Sequence, residues 1–140
     1  MEQRDFMLNQ IEQLGKVLAK ILSDFIEFKS EGEVTQGIGI TNQRLQSDLG
    51  IDIEELTVLN KEELKNYLEN RQLTAEHLEV LSEYMKEIGE EEIHENKKEA
   101  KRKLEKAIEL LDIADQISNT ISFDRINKRK EIENILPQLF

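Results

Sequence analysis

Between Met7 and Phe28 the apolar residues Met7, Ile11, Leu14, Leu18, Ile21, Phe25 and Phe28 recur at alternating steps of four and three. On a helix of about 3.6 residues per turn this draws one narrow apolar seam. That is the a/d pattern of a helix made to lie against another helix. Leu8 and Leu22 widen the seam on one side, and Gly15 between them offers a place where a neighbouring backbone can approach closely. The spacing predicts an opening helix from about Arg4 to about Phe28, taken as residues 1–29 of the chain, with its apolar edge buried by other helices.

Ser30, Glu31, Gly32, Gly37 and Gly39 follow, a glycine-bearing stretch that reads as a loop over 30–42. Short helices are expected over 43–140. Thr41 is a candidate N-cap for a helix carrying Leu45 and Leu49, which Gly50 ends in a left-handed conformation. Asp52 caps a short turn through Ile53 and Leu56. Asn60 and Glu63 have the form of a capping box, opening a helix with Leu64, Tyr67 and Leu68 on its inner face. Thr74 caps a helix with Leu78, Leu81, Met85 and Ile88 at steps of three and four, with its end expected at Gly89 and continuation through the acidic run Glu90, Glu91 and Glu92 as the alternative. From about Ile93 a long helix turns Ala100, Leu104, Ala107, Ile108, Leu111, Ala114 and Ile117 inward and its lysines outward, until Asn119 and Thr120 break the pattern. Ser122 caps a last helix, with Phe123, Ile126, Ile135 and Leu136 as burial candidates, before Pro137 stops it. The expected fold is all-α, with about six helices in a single domain over 1–140: the long N-terminal helix, then antiparallel helical hairpins.

Composition sharpens this picture. The single proline is Pro137 and only six glycines occur, so little interrupts a helical reading. Thirty acidic against 19 basic residues give a net charge of −11. A polyanion is repelled at long range by such a chain, so nucleic acid is not an expected partner. With no cysteine, disulfides, thiolate chemistry and Cys-based zinc sites are all excluded. Glu2 and Asp5 stand where a secretory leader needs basic residues, and Glu12, Lys16, Lys20 and Asp24 interrupt the apolar content behind them. No membrane association is expected, and the expected location is cytoplasmic.

Ala100, Leu104 and Ala107 run small, large, small at steps of four and three, the spacing by which the second helix of a tetratricopeptide hairpin fits its first. The tetratricopeptide tryptophan is missing and no 34-residue period repeats. At the other end of the chain stand Asp5, Phe6, Met7 and Leu8, then Ile11, Glu12, Gln13 and Leu14, then Val17, Leu18, Ala19, Lys20, Ile21 and Leu22. This string resembles the opening of an uncharacterised family of small all-helical bacterial proteins with tetratricopeptide-like C-terminal hairpins. The resemblance is confined to the N-terminal helix and rests mostly on its heptad seam. It implies a bacterial source and a cytosolic helical protein, and brings no catalytic residues with it.

Candidate chemistry is sparse. Glu91 and His94 form a Glu-x-x-His pair, the unit that carboxylate-bridged di-iron bundles use twice. A second copy is absent, since His77 has Thr74 where the carboxylate belongs. Gly37-Ile38-Gly39-Ile40-Thr41-Asn42 begins like a dinucleotide fingerprint but has asparagine at the third glycine and no strand before it. A connector whose Ile38 and Ile40 reach the core explains it. Lys97, Lys98, Lys101, Arg102, Lys103 and Lys106, interleaved with Glu95, Glu99, Glu105 and Glu109, and a smaller basic run of Arg125, Lys128, Arg129 and Lys130 both read as solvated helix faces.

These features predict a non-enzymatic helical module that binds another protein or itself, as a homodimer through the first helix. The expected interaction surface is Met7, Ile11, Leu14, Leu18, Ile21 and Phe25, because each large side chain left in water forgoes about 1.5 to 3 kcal/mol. A second apolar candidate is the tail Ile135, Leu136, Leu139 and Phe140. No catalytic, cofactor-binding or metal residue is assigned. The competing class is a metal-binding or enzymatic helical bundle using Glu91 and His94.

Overall fold

In a computed structural model of the protein, residues 2–139 are described, with side chains described over 10–137. The fold is all-α. Among the described residues there are seven helices and a closing 3-10 turn, with no strand. Seven replaces the expected six or so because the short turn after Asp52 is a helix of its own. The chain divides into two compact units, Met1–Leu73 and Thr74–Phe140.

The first unit opens with α1 (Glu2–Ser30) and α2 (Val34–Leu49). Leu18, Ile21 and Phe25 of the α1 seam are only 0 to 2 % exposed. Arg44 of α2 donates to Asp24 of α1, and Gly37 of α2 lies against Phe28 of α1, so the two helices run antiparallel. Between them Gly32 takes the left-handed conformation, and the Glu33 N–H donates to the Phe28 carbonyl.

The stretch expected as a loop over 30–42 is helical from Val34 onward, with Thr41 buried inside α2 instead of capping it. Each glycine weakens a helix by up to about 1 kcal/mol. At Gly37 packing offsets that loss: a Cβ there would stand 2.7 Å from the Phe28 Cβ, so the missing side chain lets α2 approach α1. Ile38 and Ile40 are half-buried.

Gly50 ends α2 with φ at 65°, its N–H donating to the Gln46 carbonyl. The carboxylate of Asp52 then accepts from the Glu54 and Glu55 N–H groups and starts α3 (Ile53–Val58). Asn60 and Glu63 form the expected capping box at the head of α4 (Lys61–Asn70). The hydroxyl of buried Tyr67 accepts from the Asp52 N–H at 2.9 Å, tying α4 to the turn before α3.

The second unit holds α5 (Ala75–Glu92), α6 (Lys97–Ser118) and α7 (Phe123–Ile135). Thr74 caps α5, and His77 returns the contact, its Nδ1 accepting from the Thr74 N–H at 3.0 Å. The buried histidine is thereby used as a cap. Gly89 does not end α5, which continues through it to Glu92. The glycine is buried where a Cβ would stand 2.8 Å from the Leu104 Cγ and 3.3 Å from the Ala100 carbonyl oxygen. Ser82 Oγ donates to the Ala107 carbonyl at 2.8 Å, and Lys103 reaches Glu92, so α5 and α6 lie antiparallel.

Helix α6 begins at Lys97, not near Ile93, because the Asn96 side chain accepts from the Glu99 N–H and sets the start there. Two of its lysines depart from the outward expectation. Lys103 and Lys106 are buried. Lys103 Nζ lies 3.5 Å from Glu92 and 3.8 Å from Glu99. Lys106 Nζ is 2.6 Å from Glu109 Oε2, an ion contact whose angle falls short of a hydrogen bond.

Helix α7 inverts the sequence reading. Ser122 caps it as expected, accepting from the Arg125 N–H. Phe123 is 86 % exposed, however, while Arg125 is 5 % exposed and Ile132 fully packed. Ile126, Ile135 and Leu136 are half-buried.

Candidate association surface

The six residues of the expected surface separate into three groups. Leu18, Ile21 and Phe25 are buried within the chain and serve its fold, so they are not free to meet a partner. Leu14 and Ile11, one and two turns nearer the N-terminus, are half-buried. Met7 lies outside the residues whose side chains are described, as do Leu139 and Phe140 of the tail.

Ile11, Leu14 and Val17 of α1 form one wall of an open groove of about 380 Å³, with Leu49 at the end of α2 opposite. Its rim carries Gln10, Gln13, Asp48, Arg71 and Gln72. Arg71 is held in place from three sides. Its guanidinium carbon lies 3.4 Å from the centre of the Tyr67 ring, its Nε donates to the Gly50 carbonyl at 2.8 Å, and its Nη1 to the Tyr67 carbonyl at 3.0 Å. The groove thus offers aliphatic walls with a fixed cation and a carboxylate on its edge.

Another groove of the same unit, about 350 Å³, is lined by Asp24, Glu27, Phe28, Glu31, Ile40 and Arg44. Three carboxylates face one guanidinium there. Hydrogen bonds from Lys20 at 2.9 Å and Arg44 at 2.6 Å hold the Asp24 carboxyl below its ordinary pKa.

In the second unit, polar groups concentrate where α6 meets α7. Arg125 donates from Nε to Asp115 at 2.6 Å, and from Nη2 to Ser118 Oγ at 3.1 Å and the Thr120 carbonyl at 3.0 Å. Arg129 donates from Nε to Asp112 at 3.1 Å and from Nη2 to Asp115 at 3.0 Å. Burial works to raise the Asp115 carboxyl, but the two arginine hydrogen bonds outweigh it and hold its pKa below the usual value. Above this cluster Asn119 takes a left-handed conformation, and the turn from α6 to α7 presents Ile121, 75 % exposed, beside Phe123.

The hydropathy pattern missed the Arg125 cluster. Its signal was a charge pattern, with Asp112 and Asp115 three apart on one helix and Arg125 and Arg129 four apart on the next. Glu91 and His94 do not share a helical face, since α5 ends at Glu92 and His94 lies in the turn beyond. Among the described residues no three His, Cys, Asp or Glu side chains come together as a cation site. The basic run of α6 is laced with carboxylates, Arg102 with Glu99 at 3.7 Å and Lys101 with Glu105 at 3.9 Å. Among the described residues no helix is long and apolar enough to cross a membrane. Comparison with protein-family models, with curated proteins and with solved structures returned no match.

Proposed function

We propose that this protein is a non-enzymatic helical interaction module that associates with itself through the N-terminal half of α1. The supporting observation is the groove in which Ile11, Leu14 and Val17 stay half-buried beside Leu49, while the same seam is sealed at Leu18, Ile21 and Phe25. A seam sealed at one end and open at the other leaves aliphatic surface that gains about 25 cal/mol per Å² when covered. The tetratricopeptide-like reading of the C-terminal hairpin belongs to the same proposal, supported by Gly89 seated against Ala100 and Leu104. A bacterial source and cytoplasmic residence are part of it too, and rest on the sequence features alone.

Sedimentation velocity from micromolar to millimolar concentration tests the proposal. A rising weight-average mass is expected, and a monomer throughout the range would sink it.

A further inference from the structure

The two most exposed large hydrophobic side chains described in the chain, Phe123 at 86 % and Ile121 at 75 %, stand two residues apart on one turn. Hydropathy alone would turn the phenylalanine inward and the arginine two positions later outward. The reverse is found. Arg125 is buried and spends its guanidinium on Asp115, Ser118 and Thr120, three residues that lead into the turn. Ser118 and Thr120 also bond to each other, Oγ1 to Oγ at 3.0 Å, and Ser122 caps α7 on the far side. The apolar pair is thus carried on a turn fixed at both ends, and a knob fixed in advance loses little conformational freedom on docking.

Knob and groove match in chemistry. The groove of the first unit has four aliphatic side chains, with the anchored Arg71 and a single carboxylate, Asp48, on its rim, and the knob has two apolar side chains followed at once by exposed Asp124. The acidic groove at Asp24, Glu27 and Glu31 would set three carboxylates against Asp124, which argues against it as the receptor.

We propose that Ile121 and Phe123 of one copy seat in the groove formed by Ile11, Leu14, Val17 and Leu49 of a second copy, with Asp124 facing Arg71. This rests on the self-association reading and gives the open groove its occupant. The contact joins unlike surfaces. Each copy brings one knob and one groove, so a two-fold pair would use the contact twice.

The test compares the wild-type chain, an Ile121→Ser/Phe123→Ser variant and a Leu14→Glu variant by sedimentation, with circular dichroism as the check on folding. Each variant is expected to weaken self-association by at least about tenfold, or about 1.4 kcal/mol. An equimolar mixture of the two is expected to associate more strongly than either variant alone, because the intact groove of one meets the intact knob of the other. Should Leu14→Glu fail to fold, Leu49→Glu in the same groove takes its place, alone and in the mixture, and is expected to weaken association while leaving the helical signal unchanged. Undiminished association of the Ile121→Ser/Phe123→Ser variant would overturn the knob while leaving self-association standing. Failure of two folded variants to complement each other would do the same. A wild-type monomer would overturn both, and so would a monomer that floats with anionic vesicles through Phe123.

Discussion

Gly89 of α5 and Leu104 of α6 touch so closely that a Cβ on the glycine would lie 2.8 Å from the leucine Cγ. Leu104 is fully buried and has no open space to swing into. Gly89→Ala is therefore expected to destabilise the chain despite the better helix propensity of alanine. Overpacking costs about 1 to 3 kcal/mol and the propensity gain returns about 1 kcal/mol. A urea midpoint below that of the wild type checks this, and Gly89→Leu is expected to lower it further.

Gly39 is the opposite case. It sits in α2 with nothing within 4 Å of a built Cβ and no positive φ. Gly39→Ala is expected to raise stability by about 0.5 to 1 kcal/mol. Gly37→Ala, two residues earlier and pressed on Phe28, is expected to lower it, so the pair of thermal melts should move in opposite directions.

Most helix starts were legible in the sequence, because a cap is a local object. Asp52, Asn60, Thr74 and Ser122 each find their backbone partners within three residues, and those partners are fixed by position in the chain. Glycine was read less well because it has two uses. At Gly50 it supplies a left-handed end, whereas at Gly37 and Gly89 it is a notch for a neighbouring helix, and only the neighbour distinguishes them. The candidate surface was half legible for a related reason. A heptad seam shows which edge of α1 is apolar, but not that its covering reaches Leu18 and leaves Leu14 half-buried.

The buried arginine of α7 and its exposed phenylalanine should respond to substitution in reverse of the usual ranking. Arg125→Ala leaves Asp115 with one guanidinium in place of two, and the loss of a charged hydrogen-bonding partner is expected to lower stability by about 1.5 to 3 kcal/mol. Phe123→Ala touches nothing buried and is expected to change stability by less than about 0.5 kcal/mol. Chemical denaturation of the two variants side by side checks the inversion.

Asp115 gives the second unit a defined acid response. Its folded pKa is depressed, so its stabilising contribution is fully present above the unfolded carboxylate value and is lost as pH falls through the folded value. The urea midpoint is expected to fall below about pH 4. Asp115→Asn is expected to be less stable at neutral pH and to show a shallower acid decline. An acid profile identical to the wild type would remove Asp115 from the account.

Helix α2 starts with no side chain capping it, since Glu33 makes no such bond. It also carries two glycines in its first two turns. Left alone, residues 34–42 have little cause to coil, and they do so because the shoulder of Phe28 gives Gly37 somewhere to rest. The secondary structure of this stretch is on loan from its neighbour, and whatever displaced α1 would unwind α2 as well.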